Sequence, residues 1–93
     1  MTIQSFACRD MEDLYRTGAS RWFGNIPAVA LRRLDYINSA AALGDLRSPP
    51  GNRLEALKGD RAGQHSIRIN DQWRICLVWT AAGPAEVEIC DYH

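Results

Sequence analysis

The sequence has no apolar run approaching the roughly 18 residues of a membrane-spanning helix, so no segment of it crosses a bilayer in that form. It has no net charge either: eleven Lys and Arg balance eleven Asp and Glu. Proteins that hold free nucleic acid by bulk electrostatics are normally basic, and the balance argues against that class. Cysteine is scarce, with only Cys8, Cys76 and Cys90 and no CxxC pair. An odd, widely spaced set in apolar surroundings argues against a disulfide framework or a zinc site, and all three are expected to be ordinary buried thiols. Glycine-rich phosphate loops, HExxH and GxSxG are absent, which removes those routes to phosphate binding, zinc hydrolysis and serine acylation. Between Met1 and Leu14 the charges of Arg9, Asp10, Glu12 and Asp13 interrupt the apolar stretch that a signal peptide needs, so a cytoplasmic protein without membrane contact is expected.

What is present is 46% hydrophobic residues at low net charge, which excludes intrinsic disorder. Ninety-three residues make a single domain, 1–93, expected to bury about 60–65% of the surface of its unfolded chain. Ser48-Pro49-Pro50-Gly51-Asn52 forbids helix and divides the chain, with helical spacing before it and strand alternation after it. Ile3 to Ala7 is a short strand at best. Asp10 offers an N-cap for a brief helix through Met11, Leu14 and Tyr15 to Gly18, and Arg21, Trp22 and Phe23 follow in a loop. Asn25-Ile26-Pro27 opens a second helix with apolar Ala30, Leu34, Ile37 and Ala41 and with Gly44 as its terminator. After the divide, Arg53 to Leu57 forms a strand and residues 59 to 63 a turn. Ile67 and Ile69 alternate with polar neighbours, as do Trp73, Ile75, Leu77 and Trp79, giving a hairpin through Asn70-Asp71-Gln72. Ala85 to Asp91 makes the last strand, with Val87 and Ile89 on one face. The pattern predicts an α+β domain: an antiparallel sheet with two or three N-terminal helices packed on one face.

Strand parity takes Arg68 and Arg74 off the Ile and Trp face and sets them near each other on adjacent strands, where like charges need an anion between them. Arg53, Lys58 and Arg61 precede them. Residues 53–74 therefore hold five cations against three anions, with His65 in addition, whereas residues 75–93 hold three anions and no cation. A solvated sheet face is the plain reading of such a segment, and a phosphate-binding surface is the sharper one. The sequence closes on Asp91-Tyr92-His93, a carboxylate, a phenol and an imidazole that place acid and base groups at the edge of that face. Trp73 and Trp79 belong to the core by parity. His65 has no second ligand set beside it and is not read as a metal ligand.

In order and spacing, Leu57-Lys58-Gly59-Asp60-Arg61, Ser66-Ile67-Arg68-Ile69-Asn70, Trp73-Arg74-Ile75 and the final Asp91-Tyr92-His93 resemble the HigB toxins. These are the plasmid maintenance system killer branch of the RelE-like toxins of bacterial toxin–antitoxin modules. The likeness takes in nearly the whole chain, including the passages Leu43 to Leu46 and Pro49 to Asn52. It implies a RelE-like sheet flanked by helices, as in microbial ribonucleases. It also implies an endoribonuclease that cuts mRNA in the ribosomal A site and needs no metal or other cofactor. Its partners would be a helix-turn-helix antitoxin, the ribosome, and operator DNA only through the antitoxin complex. On the matching positions, Asp91, Tyr92, His93 and Arg74 carry catalysis, while Arg68, Lys58, Arg61 and His65 lie near the RNA. Some relatives have a catalytic histidine where this chain has Glu55, so a mechanism that relies on that histidine does not transfer. A noncatalytic corepressor and a ribonuclease independent of the ribosome are the competing readings.

RNA supplies its own nucleophile, the 2′-OH, and cleavage by its attack on the adjacent phosphate leaves a 2′,3′-cyclic phosphate and a 5′-OH. Arg74 and Arg68, aided by Lys58, suit the charge that builds on the phosphate oxygens. Asp91 serves as base or as orienter of an imidazole, His93 as acid or base, and Tyr92 stacks on a base or positions the phosphate. Asp91→Ala is expected to abolish A-site mRNA cleavage in a protein whose circular dichroism is unchanged; near-normal cleavage would remove Asp91 from the site.

Overall fold

The computed structural model describes residues 2–17 and 27–91, apart from the side chains of Pro27 and Asp91. Expectations that fall on Gly18, Arg21, Trp22, Phe23, Asn25, Ile26, Tyr92 and His93 lie outside the described residues. Helix α1, Arg9–Thr17, begins one residue before the expected cap. The Cys8 carbonyl accepts the first helical bond from Glu12 N–H at 3.1 Å, and Asp10 sits inside the first turn, where its carboxylate complements the helix dipole. Helix α2, Pro27–Ser39, buries Ala30, Leu34 and Ile37 completely, the stripe expected from their spacing. It stops short of Ala41 and Gly44. The Asp45 carboxylate accepts from Ala41 and Ala42 N–H at 2.9 and 3.1 Å, turning the chain into a 3-10 helix, Leu43–Arg47, that contains Gly44 instead of ending at it.

The Pro-rich divide is held from within. Asn52 is fully buried in the short 3-10 helix Pro50–Asn52, and its Nδ2 donates to the carbonyls of Leu46 at 3.2 Å and Ser48 at 3.3 Å. Arg33 of α2 is half-buried. Its Nε donates to the Arg68 carbonyl at 2.9 Å, tying α2 to the sheet.

Four antiparallel strands lie in the order β1 (Glu55–Ala56), β2 (His65–Arg68), β3 (Trp73–Thr80) and β4 (Gly83–Asp91). A 3-10 helix, Gly59–Arg61, stands between β1 and β2. The β2–β3 turn is set by Asn70, whose Oδ1 accepts from Gln72 and Trp73 N–H at 2.9 and 2.8 Å. The strand expected at 53–57 shrinks to two residues because Arg53 takes a left-handed conformation, φ 48° and ψ 57°, costing about 1 kcal/mol for a residue other than glycine. Along β3 and β4 the register shifts between Cys76 and Val78, with Glu86 at φ 52°, a bulge beyond which Val87 and Ile89 both face the core. The segment before α1 covers the β4 edge in parallel. Gln4 N–H donates to Pro84 O at 2.7 Å, Val87 N–H to Ser5 O at 3.1 Å and Ala7 N–H to Val87 O at 2.9 Å.

The core lies between the helices and one sheet face. Met11, Leu14, Leu34, Ile37, Leu46, Ile67, Ile75, Leu77 and Val87 are all fully buried, and Trp73 and Trp79 pack against them. Ile75 stands at its centre, opposite Ile67 on β2 and Ile89 on β4. Ile75→Ala is expected to cost about 2–5 kcal/mol, read from the urea midpoint at constant slope.

Candidate functional site

On the other sheet face, parity aligns Ser66 of β2, Arg74 and Cys76 of β3, and Glu88 and Cys90 of β4. Register sets Ser66 opposite Cys76, Cys76 opposite Glu88 and Arg74 opposite Cys90. Of these, Ser66, Arg74, Cys76 and Cys90 line a cavity of about 390 Å³, together with Glu55, Lys58 and Arg61 among others. Cations from the stretch after β1 thus meet the central strand at one opening.

Arg74 is the structural centre of this site. Its side chain is only 5% exposed, and burying a guanidinium costs several kcal/mol unless hydrogen bonds and a counter-charge offset it. Nε donates to Ser66 Oγ at 2.7 Å, and one terminal nitrogen donates to the carbonyls of Arg53 at 2.6 Å and Ser66 at 3.4 Å. Glu55 Oε2 stands 3.7 Å from the same nitrogen. The left-handed residue Arg53 is therefore where the loop carbonyl meets Arg74. Across the sheet, Arg61 donates to Glu88 Oε1 at 2.5 Å and to Gln64 Oε1 at 3.1 Å. The basic stretch and the acidic last strand, separate in the sequence, are in contact here. Lys58 lines the same cavity and is exposed, with no ion pair among the described residues.

The other expected site residues divide. Arg68 stands opposite Arg74 in register, as parity implied, but its guanidinium pairs with Asp71 at the hairpin turn and does not line the cavity. Each of the two arginines thus has its own carboxylate, which relieves their repulsion. His65 lines a different cavity of about 200 Å³, with Leu43, Arg47 and Leu54 among its walls. Asp91 pairs with Trp73 in the ladder, one residue beyond Cys90. Tyr92 and His93 follow it outside the described residues. Among the described residues no group of three or more His, Cys, Asp or Glu is placed to hold a metal ion.

Ser66 and Glu88 were not singled out by the sequence, although parity places both on the Arg74 face once the register is known. The expectation of three free thiols fails for two of them. Cys76 and Cys90 are joined as a disulfide between β3 and β4, and Cys8 alone is free. Fourteen residues apart, they become neighbours only through the hairpin register.

The fold is that of the RelE-like toxins. A YoeB/ParE toxin from Agrobacterium tumefaciens superposes with a TM-score of 0.55 over 100% of this chain and 99% of its own, at 23% identity. A model of the HigB-like toxins, described as RelE-like toxins of type II toxin–antitoxin system HigB, matches residues 4–93, and the chain belongs to that family. Toxin HigB-1 of Vibrio cholerae serotype O1 is 44% identical over 55 residues, 59% of this chain and 58% of that protein. An uncharacterized protein of Haemophilus influenzae is 42% identical over 55 residues, 59% of this chain and 52% of its own. These two matches therefore span little more than half of either relative. A protein named Endoribonuclease HigB from Proteus vulgaris is 30% identical over 95 aligned positions, covering 98% of this chain and 99% of that one.

The cavity wall combines buried residues such as Ser66 and Arg74 with more exposed ones such as Lys58 and Arg61. Ser66→Ala removes a buried acceptor from a charged donor and is expected to cost about 1.5–3 kcal/mol. Arg61→Ala breaks a partly exposed pair and should cost no more than about 1 kcal/mol. Urea denaturation of the two variants side by side checks the order.

Proposed function

We propose that this chain is a toxin that cuts mRNA in the ribosomal A site, using the RNA's own 2′-OH and neither a metal nor another cofactor, and so halts translation and growth. The observation that carries this reading is the convergence of Lys58, Arg61 and Arg74 on one cavity whose wall residue Cys90 leads directly into Asp91-Tyr92-His93. A cavity of about 390 Å³ is in the range of small-ligand sites and suits one nucleotide better than a duplex.

In this mechanism the scissile phosphate lies between Lys58 and Arg61 on one side and Arg74 on the other. The Arg74 guanidinium, already fixed by Ser66 and Arg53, needs no reorganisation as charge develops on the phosphate, the condition under which such groups are most effective. Arg61 exchanges Glu88 for phosphate oxygen, so the carboxylate keeps the cation oriented while the site is empty. Asp91 or His93 takes the 2′-OH proton and returns one to the departing 5′ oxygen, and Tyr92 stacks on a base or orients the phosphate. Arg68 and His65, away from this cavity, serve flanking RNA.

A neutral protein attracts free RNA weakly, and docking on the ribosome supplies the local concentration that its own charge does not. The antitoxin partner is a helix-turn-helix protein of the HigA type, and operator DNA is met only through that complex. The test incubates the purified protein with mRNA, with and without programmed ribosomes, and maps the ends. Cuts confined to the A-site codon, with 2′,3′-cyclic phosphate and 5′-OH termini, are expected. Cuts in naked RNA alone overturn the ribosome-dependent reading, and no cuts under either condition favour a noncatalytic corepressor.

A further inference from the structure

We propose that Cys76 and Cys90 are a reversible dithiol–disulfide couple that fixes the end of β4 to the strand carrying Arg74, and that the oxidised protein is the faster ribonuclease. The second half rests on the function proposed above; the first half does not. Cys76 stands opposite Glu88 and Cys90 opposite Arg74, so the bond runs diagonally across the β3–β4 ladder. The Cα atoms are 6.4 Å apart, within the span that a disulfide bridges without backbone movement. Both residues line the cavity that holds Lys58, Arg61 and Arg74. A cystine in the wall of a substrate site is placed to act on that site. A cystine with one sulfur accessible from an open cavity is of the labile, reducible kind.

The two sulfurs have different access. Cys76 is 2% exposed, whereas Cys90 is half-buried and opens on the cavity. Oxidation by a small-molecule disulfide therefore enters at Cys90. The Cys90 thiol loses its proton to solvent, and the thiolate attacks one sulfur of the reagent, which breaks the reagent's sulfur–sulfur bond and releases one thiolate. The Cys76 thiolate then attacks the Cys90 sulfur of the mixed disulfide and expels the second. Cys76 also gives up its proton as it attacks, so two protein thiols become one cystine, and the two expelled thiolates take up both protons, leaving the reagent reduced by two electrons to two thiols. Glu88 Oε1 lies 3.9 Å from Cys90 Sγ, an acceptor for the thiol hydrogen in the reduced form, and the same oxygen holds Arg61. The couple therefore reaches the cavity cations through Glu88 as well as through Arg74.

Cys90 directly precedes Asp91-Tyr92-His93, and the Trp73–Asp91 pair is the last described rung of the ladder. The cross-link ties the residue just before this run to the strand that positions Arg74. Small misplacements of reacting groups cost large factors in rate, so a covalent tie here raises the share of molecules in the productive geometry.

The experiment treats the purified full chain with either dithiothreitol or oxidised glutathione. It reads mass, amide hydrogen exchange over residues 84–93, and cleavage of ribosome-bound mRNA. The expected result is loss of two hydrogens with Cys76 and Cys90 in one cross-linked peptide, slower exchange in the oxidised protein, and cleavage roughly three- to tenfold faster than in the reduced protein. A glutathione adduct on Cys8 appears as a mass gain and is scored separately. Cys90→Ser and, should that variant fold poorly, Cys90→Ala are each expected to lose the response to oxidised glutathione. Failure of the bond to form, unchanged exchange, or cleavage that is equal or slower after oxidation would overturn the proposal. Bond formation and slowed exchange with no cleavage in either state would uphold the couple and overturn the ribonuclease reading instead.

Discussion

The buried guanidinium of Arg74 is the interaction on which the rest depends. A full positive charge is held at 5% side-chain exposure on the middle of a sheet, and three hydrogen bonds with a carboxylate at 3.7 Å make that possible. Each partner comes from a different part of the chain: Ser66 from the neighbouring strand, Arg53 from the end of the Pro-rich passage, Glu55 from the edge strand. The loop conformation, the short first strand and the cavity therefore follow from one requirement, that a desolvated cation be satisfied. Asn52, fully buried and bonded to Leu46 and Ser48, holds the same passage from the core side. Between Asn52 and Arg74, a segment whose prolines and glycine bar regular structure acquires a defined course.

The neutral total charge acquires a structural meaning in this setting. The excess cations of residues 53–74 meet the acidic last strand where Arg61 reaches Glu88. Within that stretch itself, Glu55 stands beside Arg74 and Asp71 beside Arg68. A site with its own carboxylates holds its cations in place without attracting every polyanion in solution. The Cys76–Cys90 pair lies in the same wall, so covalent chemistry and charge pairing act on one small region.

Much of this was legible in the sequence. The spacing of Ala30, Leu34 and Ile37 identified the buried stripe of α2, and alternation through Ile67, Ile75, Leu77 and the tryptophans identified the core face of the hairpin. The same parity set Arg68 opposite Arg74. What parity does not supply is the register of the last strand, because the bulge at Glu86 shifts it. For that reason Glu88 and the cystine were missed. Ser66 was missed because a serine in a strand gives no signal until the cation it serves is known to be buried. The helix ends were misjudged where a side chain acts on the backbone: Gly44 had the look of a terminator, but the carboxylate of Asp45 turns the chain first. Arg68 and His65 share the charged stretch with Arg74 yet face other surroundings, a difference that composition does not carry.

The site depends on the fork geometry of Arg74 and not on its charge alone, since a lysine at that position keeps the charge but does not reach Ser66 and Arg53 together. The most direct measurement is the A-site cleavage rate of Arg74→Lys, taken at a temperature where circular dichroism shows the variant folded. A loss on the order of 100-fold or more is predicted, the size seen when a preorganised charge-stabilising group is removed. Cleavage by Arg74→Lys at the rate of the unaltered protein would contradict it.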